Sequence, residues 1–162
     1  MNQEELLLRT AFACMACDGS IAEEEVSLIQ TMNDDSHIFG DIDVKEKLQE
    51  MLVSLRTDGN DFIKQYLRLI ENEQLTEKQE IEVLRVAAQT IQADNVIEYS
   101  EIKFFKLIRS CMAVSDSVIL ENVIEIDEEY LAQDIIERNI LLDSYFDNIQ
   151  LDQVEILSNV IQ

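Results

Sequence analysis

Cys17-Asp18-Gly19-Ser20-Ile21-Ala22-Glu23-Glu24-Glu25 and, 76 positions further along, Ala93-Asp94-Asn95-Val96-Ile97-Glu98-Tyr99-Ser100-Glu101 share one frame. An Asp is followed by a residue tolerant of a left-handed backbone, then by a β-branched apolar residue, and seven positions after the Asp by a Glu. The match extends in both directions. Leu7 falls on Val83, Leu8 on Leu84, Ala11 on Ala87 and Met15 on Ile91 before the turn, and Leu28 on Phe104, Ile29 on Phe105 and Met32 on Ile108 after it. Each set of apolar residues recurs at three- and four-residue spacing, so the repeated unit is two helices joined by an acidic turn.

Between and beyond these units the same period continues. Val44, Leu48, Met51, Leu52 and Leu55 trace a third helix that Gly59 ends, and Phe62, Ile63, Tyr66, Leu67 and Ile70 trace a fourth. Thr76 and Gln79 have the spacing of a capping box opening the fifth helix, and Ser115 or Asp116 is placed to cap a seventh. Residues 33 to 42, with Asn33, Asp34, Asp35, Ser36 and Gly40, are expected to form a loop. The absence of proline and the three glycines in total leave little to build tight hairpins, so the expected class is all-α.

From Glu121 onward eleven acidic residues stand against the single Arg138. We therefore divide the chain into a helical domain over 1–120 and an acidic C-terminal extension over 121–162. Its Ile135, Ile136, Leu141, Leu142, Tyr145, Phe146, Leu157 and Ile161 are too many apolar residues to leave in water, so the extension is expected to be helical and docked on the core or on a second subunit.

The 162 residues carry a formal charge of −22, from 34 acidic and 12 basic side chains. That field repels nucleic acid and anionic lipid and attracts cations and basic protein surfaces. With 47% apolar residues the chain nevertheless has the composition of a folded domain. No apolar run is long enough to insert in a membrane, the start lacks the pattern of a signal peptide, and three cysteines form no even framework, which together point to the cytoplasm and to reduced thiols.

Asp18 and Asp94 follow the C-terminal ends of helices, where the macrodipole disfavours a carboxylate by something on the order of 0.3–1 kcal/mol. Glu25 lies in register with Leu28, Ile29 and Met32, and Glu101 with Phe104, Phe105 and Ile108, so both begin inward stripes. Two readings follow. The carboxylates serve their own turns as hydrogen-bond acceptors, or Asp18, Glu25, Asp94 and Glu101 converge on one hard cation, Ca²⁺ or Mg²⁺. The Cys14-x-x-Cys17 pair, at the end of a helix where a thiolate is disfavoured, reads as small buried core residues rather than a redox or zinc site. His37 reads as a solvated loop residue. No nucleophile elbow, phosphate loop or dinucleotide fingerprint is visible, so a non-enzymatic role is expected, with a metal-dependent hydrolase as the enzyme alternative.

The stretches Ala13-Cys14-Met15-Ala16-Cys17-Asp18-Gly19-Ser20-Ile21 with Glu25, and Ala87-Ala88 through Ala93-Asp94-Asn95-Val96-Ile97 with Glu101, resemble the TerB-like domains of tellurite-resistance proteins and of DjlA-type co-chaperones. The resemblance covers roughly residues 1 to 120. It implies a compact bundle of about seven or eight helices, a pseudo-twofold axis that brings the two acidic motifs together, a divalent-metal site there, and a role in stress response. Asn95 in place of glycine is a departure from the pattern. A protein-interaction module whose acidic turns are purely structural is the alternative, and a homo-oligomer is compatible with either.

Overall fold

The computed structural model describes residues 2–17, 21, 23–93, 97, 99–126 and 128–131. Among these it is all-helical, with α1 (Gln3–Ala16), α2 (Glu23–Ser36), α3 (Val44–Asp58), α4 (Asn60–Asn72), α5 (Glu77–Gln92), α6 (Tyr99–Ser110), α7 (Asp116–Asn122) and a 3-10 turn (Glu128–Tyr130).

Helix α1 is the axis of the bundle. Ten of its residues, from Leu6 to Ala16 with Arg9 excepted, are buried, because small side chains such as Ala11, Ala13, Cys14 and Ala16 let neighbours close in on every side. Asn2 starts it by accepting from the Glu5 amide at 2.8 Å. Its most extensive interface is with α5, which is similarly alanine-rich and buried through Val83, Val86, Ala87, Ala88 and Ile91. The predicted capping box opens α5: the Gln79 amide donates to Thr76 Oγ1 at 3.2 Å and the Thr76 amide to Gln79 Oε1 at 2.9 Å.

Helices α1 and α5 run in the same direction. Near their starts Gln3 Nε2 donates to Glu82 Oε2 at 2.9 Å, and Cys14 in the last turn of α1 lies within reach of the charge of Glu101, in the first turn of the helix that follows α5. The other helices pack around this pair. Helix α4 lies on α1 through the edge-to-face pair of Phe12 and Phe62, whose ring centroids are 5.5 Å apart, and through a buried 2.6 Å hydrogen bond between Thr10 Oγ1 and Tyr66 Oη.

One element departs from expectation. The loop predicted over 33–42 begins only at His37, because α2 continues through Asn33, Asp34, Asp35 and Ser36. These residues serve the helix end from its surface: Ser36 Oγ donates to Met32 O at 2.7 Å, and Asn33 Oδ1 accepts from the Phe39 amide at 3.0 Å. His37, at φ 54°, then breaks the helix. Gly40 follows at φ 63°, where a Cβ would come within 2.9 Å of Glu4 Cγ, so the loop requires glycine there. Phe39 is fully buried beneath it.

The first residues of the acidic extension lie against the bundle. Val123, Ile126 and Tyr130 are buried, and the Tyr130 ring meets Phe105 edge-on at 5.3 Å. A polar stripe on α5 holds this stretch: Arg85 Nη2 donates to Asn122 O at 2.9 Å, Gln89 Nε2 to Glu125 Oε1 at 3.2 Å, and Gln92 Nε2 to Glu125 O and Tyr130 Oη. Tyr145, Phe146, Leu142 and the rest of the expected docking residues lie outside the described residues. No helix among the described residues is long and apolar enough to cross a membrane.

Candidate functional site

The two acidic turns begin at one end of the molecule. Because α1 and α5 are parallel neighbours, Cys17, which ends the first, and Ala93, which ends the second, open onto the same side of the bundle. Asp18 and Asp94 themselves lie outside the described residues.

Glu25 and Glu101 are described, and they occupy matching places. Each is the third residue of its helix and each is half-buried. A glutamate in a first turn is favoured by the positive end of the helix dipole. Burial foremost, and then the negative charge of Glu101, push the Cys14 thiol upward from its ordinary value. Glu101 of the second repeat is therefore within electrostatic reach of the last turn of the first repeat's leading helix.

A contact also runs between α2 and α5. Thr90, 76 positions after Cys14, faces Met32 of α2, with Thr90 Oγ1 3.9 Å from Met32 Sδ. Each repeat thus extends its second helix across the end of the other's first. Cys14 and Cys17 are buried and in no disulfide, and Cys111 is half-buried with Sγ 3.4 Å from Leu107 O. His37 is exposed and pairs with Asp41 at 3.2 Å, far from any carboxylate of the repeat in sequence and on the surface loop. Among the described residues no group of three or more His, Cys, Asp or Glu side chains is arranged to hold a metal; the two aspartates fall outside that set.

Several structural roles were not read from the sequence. Glu80 is buried, 8% exposed, and accepts from two backbone amides of the α6–α7 linker, Ala113 N at 2.9 Å and Val114 N at 3.2 Å. Its signal was its register, four residues before the core residue Leu84. Its repeat counterpart is Glu4, which packs on the loop after α2 beside Gly40. The repeat also pairs Gln3 with Gln79, and both line a small cavity of about 120 Å³ between the starts of α1 and α5. Arg9 pairs likewise with Arg85, bonded to Glu5 at 3.4 Å in the first case and to Asn122 O in the second.

Comparison of the chain with protein-family models, curated proteins and solved structures gave no match.

Proposed function

We propose that this chain is a non-enzymatic, TerB-like bundle of a cytoplasmic stress-response system, such as tellurite resistance, that binds one divalent cation between its two acidic turns. Asp18, Glu25, Asp94 and Glu101 are the assigned ligands, and Ca²⁺ or Mg²⁺ the assigned cation, since hard cations take carboxylate oxygens. The observation that carries this reading is the matched placement of Glu25 and Glu101, each the third residue of its helix and each half-buried. The close packing of α1 on α5, the two helices that precede the acidic stretches, supports it. A charge of −22 supports a second role for the same surface, docking of a protein with a basic face.

A carboxylate that follows the C-terminal end of a helix is disfavoured by the helix dipole, and a cation bound beside it would relieve that cost. The test is thermal unfolding in Mg²⁺ or Ca²⁺ against sodium at matched ionic strength. Free cation at about 100 times its dissociation constant adds roughly 2.7 kcal/mol, a rise of several degrees for a chain of this length. Replacing both Asp18 and Asp94 by Asn should remove the excess over sodium. An undiminished excess in the double variant would assign the effect to diffuse charge and leave the turns structural.

A further inference from the structure

We draw no further inference here: the strongest candidate, the exposed apolar surface patch of Ile97 and Tyr99 where the second acidic turn enters α6, is unpartnered and nothing in the structure shows what covers it.

Discussion

The two repeats share one plan and fill it differently. In the first, aromatic and hydroxyl groups close the interior: Phe12 meets Phe62, and the Thr10 and Tyr66 hydroxyls are hydrogen-bonded. In the second, the positions of Thr10 and Phe12 are Val86 and Ala88, and the outer face of α5 is polar, with Arg85, Gln89 and Gln92 gripping the stretch from Asn122 to Tyr130. The turns differ in the same sense. Ile21 is 4% exposed, whereas its counterpart Ile97 is 45% exposed and is followed by Tyr99, 64% exposed with Lys103 over its ring. A duplicated frame therefore keeps what both halves need, the paired leading helices and the acidic turns, and lets the surrounding contacts diverge. The first half is built as a core and the second as a core with a more open surface.

Phe104 tests this division most severely. It is fully buried beside Tyr66 of the first repeat, and Phe104→Ala should destabilise by about 3–5 kcal/mol in denaturant unfolding. The matching Leu28→Ala should fall at or below the low end of the leucine range, near 2 kcal/mol, because Leu28 is only partly buried. Equal losses would erase the asymmetry.

Glu80→Ala should follow at about 1–3 kcal/mol, since it leaves the part-buried amide of Ala113 and the buried amide of Val114 without their acceptor. Its counterpart Glu4 bonds no such pair, and Glu4→Ala should have a smaller effect.

Alkaline pH should weaken the first repeat. Burial raises both the Cys14 thiol and the Tyr66 phenol in the folded protein, so above the ordinary thiol value of 9.0 the unfolded chain ionises while the folded chain holds its protons. Stability from these groups is fully present below that pH and lost as pH rises, at about 1.4 kcal/mol per pH unit for each group once its unfolded form titrates. Cys14→Ala should flatten the slope. Tyr66→Phe should have the smallest effect of the set, about 1 kcal/mol from the lost bond to Thr10.

The helices were legible because their signals are local. Apolar spacing, Gly59, the Thr76–Gln79 box and Ser115 each decide a boundary from within a few residues. The end of α2 was not, because Asn33 and Ser36 look like loop residues until their side chains are seen bonding the helix terminus. The resemblance implied a pseudo-twofold relation of the two units, but the pairing of α1 with α5 and the contacts between the repeats depend on packing that no single stretch records. Glu80 was missed for the same reason: its amide partners lie 33 and 34 residues away in the chain.

Calorimetric titration of Ca²⁺ or Mg²⁺ into the full chain and into two half-site variants bears most directly on the claim that the repeats build one site together. The variants are Asp18→Asn with Glu25→Gln, and Asp94→Asn with Glu101→Gln. A shared site predicts one cation per chain and loss of binding in either variant, because each removes half of the ligand set. Two cations per chain, or one retained undiminished in each variant, would mean that the turns act separately and would contradict the account.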